Sequence, residues 1–571
     1  MPKIKLIAFL SLLSFCFALS CNHHIANKIY DIHQSATTSK AMVVAPHPLA
    51  TQVGIDVLKD GGTAIDAMVA VQLAIAVVYP RAGNIGGGGF LVYRGSDGTI
   101  AALDFREKAP QKADKDMYLD SLGNVVPGLS TFGHLAVGVP GTVDGLFKEH
   151  ARFGKLDFKR LIQPAIDFAE NGFQITEREA KRLNRFQEDF KKVNDPSCVF
   201  IKDNWKAGDL LVQKELAQTL RLIRDKGEAG FYDGITADKI IKEVGSGNGI
   251  FTKQDLLDYD AKWREPITAR YKNYKMISMP PPSSGGVALA QLLGIIEEYP
   301  IEQWGFHRVK STHLMVEAER RVYADRATFL GDADFYPVPL DSLLDKQYIV
   351  GRMSDFSPDT ATLSSSIHPG SFNVGLESFE TTHISIVDAQ GNAAAVTTTL
   401  NSNFGSKVIV DGAGFFLNNE MDDFSAKPGV PNQFGLVGNE ANAIQPGKRM
   451  LSSMTPTIFE KDGKLFMVLG SPGGSTIITG VFQVFINVAA FDMSIEEAVK
   501  AKRFHHQWLP DVVMYEPDAF DAKTLEKLKK MGHHFKEVNR MAVVKAILVN
   551  PDGTLSGAGD PRNPDDDVKG Y

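Results

Sequence analysis

The sequence predicts one mixed α/β domain built by both halves of the chain, and three observations carry that expectation. Helical and strand patterns occur on both sides of an irregular stretch at residues 357–380, so neither half reads as a purely helical or purely strand unit. An alternating hairpin follows that stretch directly. The 571 residues, 44% hydrophobic and 23% charged, have an ordinary globular composition, and no long polar linker divides them into independent cores. A net charge of -7 gives no reason to expect a nucleic-acid surface or a polybasic membrane surface.

Residues 1–21 read as an export signal: Lys3 and Lys5 form a positive start, and residues 6–19 are an apolar run too short for a comfortable membrane span. Ala18-Leu19-Ser20-Cys21 then allows two outcomes, ordinary signal cleavage or lipid attachment at Cys21. The expected destination is the periplasm or the exterior, lipid-anchored to the membrane in the second case. Cys16 leaves with the signal and Cys21 sits at the processing point, so Cys198 is the one cysteine of the body and an intrachain disulfide network is excluded. Cys198 reads as a small buried apolar residue. Residues 22–38 are polar and lack a core-forming pattern, which predicts a mobile leader.

A helix is expected over residues 50–59, stopping at Gly61-Gly62, and a second over 63–78, where Asp66 and Gln72 interrupt an Ala-, Val- and Ile-rich run and favour a buried helix over a membrane one. Gly86-Gly87-Gly88-Gly89 lead into a strand at 90–93. Without a following helix and a Lys-Ser/Thr pair, these glycines read as close backbone packing and not as a phosphate cradle. Residues 101–105 form another strand, ending at Arg106. Amphipathic patterns at 158–171, 177–191 and 212–226 predict an outer helical layer. Over 312–330, Leu314, Val316 and Val322 alternate with Glu317, Glu319, Arg320 and Arg321; those charges read as a solvated or ion-paired face and not as a site.

Residues 357–380 hold Ser364-Ser365-Ser366, Pro358, Pro369, Gly370 and Gly375, which mark an irregular tether ending just before Thr381. Two alternating runs then flank Asp388-Ala389-Gln390-Gly391-Asn392, a hairpin with Thr381, His383, Ser385 and Val387 on one face. A flexible tether leading to a strand-heading Thr is what internal self-cleavage requires. An apolar helix is expected from Ser475 or Thr476 to about residue 491, and Ser494-Ile495-Glu496-Glu497 is a capping box. His505-His506 has no partner at ligand spacing, so it reads as structural and no metal is called for.

Many short motifs occur in one order: Gly83-Asn84-Ile85-Gly86, Leu103-Asp104-Phe105-Arg106-Glu107, Pro280-Pro281-Pro282-Ser283-Ser284-Gly285-Gly286, Thr381-Thr382-His383, Thr397-Thr398-Thr399-Leu400-Asn401, Asn419-Glu420-Met421-Asp422-Asp423, Leu451-Ser452-Ser453-Met454 and Gly470-Ser471-Pro472-Gly473-Gly474-Ser475. In that order they resemble the γ-glutamyltransferases (γ-glutamyl transpeptidases, glutathione hydrolases), over nearly everything from about residue 39 to Tyr571. The resemblance implies the four-layer αββα sandwich of N-terminal-nucleophile hydrolases. It also implies scission between Glu380 and Thr381, giving a large chain of residues 22–380 and a small catalytic chain of 381–571 held together as a heterodimer.

The implied chemistry suits the residues. A Thr hydroxyl needs a base, and a freed α-amino group on the same residue supplies one without cofactor or metal. Thr381 is then the nucleophile, Thr399 on the neighbouring strand bonds its hydroxyl, and Gly473 and Gly474 offer backbone N–H groups to the oxyanion. Arg106, Ser452 and Ser453 match the group that holds the substrate α-carboxylate; Asn401, Glu420 and Asp423 match the acceptors for its α-ammonium. Residues 427–443 resemble a lid loop in which Phe434 stands where a Tyr is common. The expected substrates are glutathione and other γ-glutamyl compounds, with water, amino acids or dipeptides as acceptors. A glutaryl-type acylase, which need not keep Asn401, Glu420 and Asp423, and an uncleaved periplasmic binding protein are the alternatives.

Overall fold

Two seven-stranded antiparallel sheets carry the architecture of this computed structural model, which describes residues 29–367 and 381–571. The export segment with Cys21, and Glu380 with the stretch before it, lie outside the described residues. One sheet runs in the order Ser35–Thr38, Leu555–Ala558, Lys545–Val549, Lys464–Gly470, Thr457–Lys461, Tyr274–Ser278, Ile267–Tyr271. The other runs Asp567–Gly570, Met42–Ala45, Thr382–Val387, Ala393–Thr399, Gly88–Arg94, Ile100–Phe105, Lys262–Arg264. Each sheet therefore interleaves strands from before and after residue 380.

Three apolar clusters separate four layers, as the expected αββα sandwich requires. Met42, Val44, Phe90, Val92, Ile458, Val468 and Ile547 pack between the sheets. Ile384, Ile386, Leu91 and Leu103 of the second sheet pack outward against helices such as Ala64–Val78 and Phe158–Asn171. Phe459, Met467 and Leu469 of the first sheet pack against Gly285–Glu297, Val309–Phe329 and Thr476–Ala489. The hairpin shows why the pattern of alternation decides this: Ile384 and Ile386 bury on the helical side, each contributing roughly 1.5–3 kcal/mol, while His383 and Ser385 point into the gap between the sheets.

Local signals placed most elements. Thr63 caps Ala64–Val78 in a reciprocal box with Asp66, and all fifteen residues of that helix are buried. Ser494 does the same for Ile495–Lys500 through Glu497. A Cβ on Gly86 or Gly87 would meet the carbonyl of Phe416 or Thr399 at 2.2 and 2.1 Å, so the glycines do serve close backbone approach.

Three expectations need correction. Within the predicted leader, Ser35–Thr38 is a strand paired with Leu555–Ala558, because backbone pairing needs no apolar pattern at a sheet edge. The helix expected over 177–191 is two, Glu177–Arg185 and Gln187–Val193, joined at Phe186. The charges of Val309–Phe329 are not a solvated face: Glu317, Glu319, Arg320 and Arg321 are all buried. Arg321 pairs with Glu317 at 2.7 Å, so ion pairing holds for part of them, but Glu319 bonds to Gln483 and to the backbone N–H of His506 instead. Periodicity reports the charge of a face, whereas only packing reports what covers it.

Candidate active site

Thr381 stands at the head of Thr382–Val387, and the ladder pairs Thr382 with Thr398, which sets Thr399 opposite Thr381 one step further on. The two hydroxyl oxygens are 3.5 Å apart, longer than a good O–H···O bond. Thr399 Oγ1 accepts the backbone N–H of Asn401 at 2.7 Å, which leaves its own proton to donate toward Thr381. Asn401 has φ 73, a left-handed conformation that Asn tolerates and that ends the strand at the site. Its side-chain nitrogen donates to the Asn419 carbonyl at 3.0 Å, so Oδ1 remains as the acceptor. Two residues after Thr381, buried His383 is bonded to Thr397 and Ser385, and burial drives its pKa well below the usual value; it is a neutral spacer.

Gly473 and Gly474 form the turn that enters Thr476–Ala489, with φ 143 and 54. Neither tolerates a side chain: a Cβ on Gly473 would lie 2.9 Å from Ala542 Cα, and one on Gly474 2.9 Å from the Phe434 ring. Thr476 locks the turn, its hydroxyl donating to the Gly473 carbonyl at 2.7 Å and accepting from Ala542 N–H at 3.0 Å. The geometry suits a pair of backbone donors facing developing negative charge.

Arg106 is fully buried at the end of Ile100–Phe105 and bonds both Glu420 and Asp423. Its guanidinium also lies 3.5 Å from Glu107 and donates to the carbonyls of Met450 and Leu451. Burial opposes its charge, but Glu420, Asp423 and Glu107 outweigh burial and raise its pKa. The acids pay the desolvation instead: burial lifts Glu107 to about 7 and Glu420 well above the ordinary value, against the pull of Arg106.

Ser452 and Ser453 line the same cleft. Ser452 Oγ accepts Met454 N–H at 3.1 Å, and Ser453 Oγ accepts an N–H of Arg326 at 3.0 Å. The loop at residues 427–443 is tied to the acidic turn, since Asp422 accepts Gln433 N–H at 3.0 Å and Asp423 accepts from the Asn432 side chain at 3.3 Å. Phe434 is buried over Gly474 as the aromatic wall. One cleft thus brings together Arg106, Thr381, Thr399, Asn401, Glu420, Asp423, Phe434, Ser452, Ser453 and Gly474. Gly473 lines a second cleft on which Thr381 also opens, with Arg81, Arg178, Arg540 and Lys545 among its walls.

Residues 50–569 match the profile of the Gamma-glutamyltranspeptidase family. The chain belongs to that family. It is 44% identical over 544 residues to the glutathione hydrolase proenzyme of Escherichia coli (strain K12), covering 95% of this chain and 93% of the relative. It is 46% identical to the glutathione hydrolase proenzyme of Pseudomonas aeruginosa, over 92% and 94% of the two chains. Among solved structures, cephalosporin acylase from Bacillus halodurans superposes with a TM-score of 0.83 at 25% identity, covering 96% and 98%. Helicobacter pylori gamma-glutamyltranspeptidase gives 0.56 at 48% identity, covering 57% of this chain and 94% of that one.

Within this family frame, sequence reasoning missed three supporting groups, all buried. Tyr323 donates to the Ser475 carbonyl at 2.5 Å, Arg326 lines the first cleft, and Ser284 donates to the Ser452 carbonyl at 2.7 Å. Glu319, Tyr323 and Arg326, spaced i, i+4, i+7, form one polar stripe, a signal that was present in the sequence. His505 and His506 are buried and hydrogen-bonded to Thr479, Gln507 and Asp511, in line with the structural reading. Among the described residues, His313, Glu317 and His533 could approach one ion, but Glu317 is already held by Arg320 and Arg321, whose charges oppose a cation.

Proposed function

We propose that this chain is an exported, self-cleaving γ-glutamyltransferase that hydrolyses glutathione and related γ-glutamyl amides or passes the γ-glutamyl group to amino acids and peptides. The carrying observation is the position of Thr381: it heads a strand beside Thr399 and opens on two clefts, one furnished for a zwitterionic head and one with basic walls. In maturation, Thr381 Oγ1 attacks the Glu380 carbonyl, the amide nitrogen leaves as an amine, and water cleaves the resulting ester. The interleaved sheets keep the chains of residues 22–380 and 381–571 together as a heterodimer.

The freed α-amino group, with an unperturbed pKa of about 7.7–8, then takes the Thr381 hydroxyl proton. Thr381 attacks the γ-amide carbonyl, Gly473 and Gly474 N–H groups hold the oxyanion, and the leaving amine takes a proton from the α-ammonium. Water or an acceptor amine resolves the ester. Arg106, Ser452 and Ser453 hold the α-carboxylate, and Asn401, Glu420 and Asp423 the α-ammonium. Leaving and accepting amines use the second cleft, where Arg81 and Arg178 suit a carboxylate-bearing peptide end. Pseudomonas relatives named as acylases reach 35% identity, but the three ammonium acceptors gathered here favour the γ-glutamyl reading. Residues 1–21 direct the enzyme out of the cytoplasm, with Cys21 as a lipid-attachment point in one of two processing routes.

Intact mass after incubation at neutral pH tests the scheme. Two chains, the smaller beginning at Thr381, are expected from the wild type, and one uncut chain from Thr381→Ala. A folded wild-type chain that stays whole would sink the mechanism, since the base would never be released.

A further inference from the structure

The first cleft contains two guanidinium groups, and they differ in what compensates them. Arg106 bonds two carboxylates and lies near a third. Arg326, near the end of Val309–Phe329, is buried and bonds only neutral hydroxyls: its Nε donates to Ser284 Oγ at 2.9 Å and a terminal N–H donates to Ser453 Oγ at 3.0 Å. No carboxylate of the described residues lies within ion-pair distance of it. The cleft built for a substrate carboxylate thus has its locally uncompensated positive charge at Arg326.

We propose that Arg326 is the positioning residue for the donor's α-carboxylate, acting through Ser453. Because Arg326 donates to Ser453 Oγ, a lone pair of that oxygen is engaged and the hydroxyl proton is turned away from the guanidinium, toward the cleft. Ser452 is oriented likewise by Met454 N–H. Ser284 couples the two: it accepts from Arg326 and donates to the Ser452 carbonyl at 2.7 Å, while Ser452 N–H donates to the Pro282 carbonyl at 2.9 Å. The Pro280-Pro281-Pro282-Ser283-Ser284 segment therefore acts as the splint between Arg326 and the serine loop. A carboxylate arriving at the two hydroxyls meets aligned donors backed by a full positive charge, an arrangement stronger than neutral hydroxyls alone. A donor lacking that carboxylate gains nothing from Arg326.

The inference rests on the γ-glutamyl reading, and the test separates the two. Processed wild type, Arg326→Gln, Arg326→Lys and Ser284→Ala, each confirmed by mass as two chains, are assayed on three anilides: γ-glutamyl, glutaryl (no ammonium) and 4-aminobutyryl (no α-carboxylate). For Arg326→Gln, KM on the γ-glutamyl and glutaryl anilides should rise about 30-fold with kcat nearly unchanged, and the 4-aminobutyryl anilide should be unaffected. Arg326→Lys should fall between, and Ser284→Ala should show the same selectivity at smaller size. Equal losses on all three anilides, or no loss on the γ-glutamyl one, would overturn the role of Arg326. Should the wild type be inert on all three, the γ-glutamyl reading fails instead. Calorimetric binding of L-glutamate against 4-aminobutyrate then still decides for Arg326: selective weakening of glutamate in Arg326→Gln supports it, and its absence refutes it.

Discussion

Arg106 and Arg326 line one cleft, both are buried, and their surroundings are opposite. Around Arg106 the protein supplies more negative charge than the guanidinium balances, so burial pushes protons onto the acids. Around Arg326 it supplies only hydroxyls, and burial lowers the arginine's own pKa against the weaker pull of Tyr323 and Asp423. In the proposed reading a zwitterionic head completes both: its ammonium answers the excess acids around Arg106, and its carboxylate meets hydroxyls backed by Arg326. The contrast lies in how each guanidinium is balanced, more than in the number of charged residues.

The largest effect should come from removing the balanced arginine. Arg106→Met leaves Glu107, Glu420 and Asp423 buried without their counter-charge, and breaking such a network costs about 3–5 kcal/mol. Arg326→Met strands two hydroxyls and should cost about 1–3 kcal/mol. Urea melts of the two variants measure the difference, and equal losses would erase the contrast. Next, Glu420→Gln removes an ammonium acceptor while keeping its shape, so KM for a γ-glutamyl donor should rise roughly 10- to 100-fold with little change for a glutaryl donor.

A pH test sharpens the same comparison. The Glu107 carboxyl sits near 7 when folded against 4.5 for the free side chain, because burial disfavours its charge. The folded state therefore holds an extra proton between those values. Its contribution to stability is complete below about 4.5 and is lost as pH rises through about 7. Buried neutral histidines such as His383 and His505 act in the opposite direction below 6.5, so the reading is a difference: the melting temperature of the wild type relative to Glu107→Gln should fall between pH 5 and pH 8. Asp422 and Asp566, both raised by burial to about 6, add to the slope that the two proteins share. The smallest effect belongs to the lid: Phe434→Tyr adds one hydroxyl to the wall over Gly474 and should lower donor KM by about 2- to 10-fold, the worth of one hydrogen bond. Steady-state rates with and without an acceptor dipeptide read it, and an unchanged KM would show that the lid does not need the phenol.

Why some of this was legible in the chain and some was not follows from range. The hairpin was read correctly because alternation is local: Ile384 and Ile386 had to face one way and His383 and Ser385 the other, whatever lay beyond. The paired boxes at Thr63 and Ser494 were equally local. Val309–Phe329 was misread because a helix polar on several sides is normally solvated. Here one stripe, His313, Glu317 and Arg321, bonds Ser357, Thr362 and Asp355, while Glu319, Tyr323 and Arg326 bond His506, Ser475 and Ser453. The edge strand Ser35–Thr38 escaped for a related reason, since its partner lies more than five hundred residues away.

By itself the sequence determined most element types, the strand that Thr381 heads, and the motif set that marks the family, because each rests on the order and spacing of nearby residues. Tertiary structure alone decided which charges are answered. It placed three carboxylates against Arg106 and two hydroxyls against Arg326, and it set Thr399 opposite Thr381 and Gly474 beneath Phe434. Electrostatic balance in a buried cleft depends on distances between residues far apart in the chain, and only folding sets those distances.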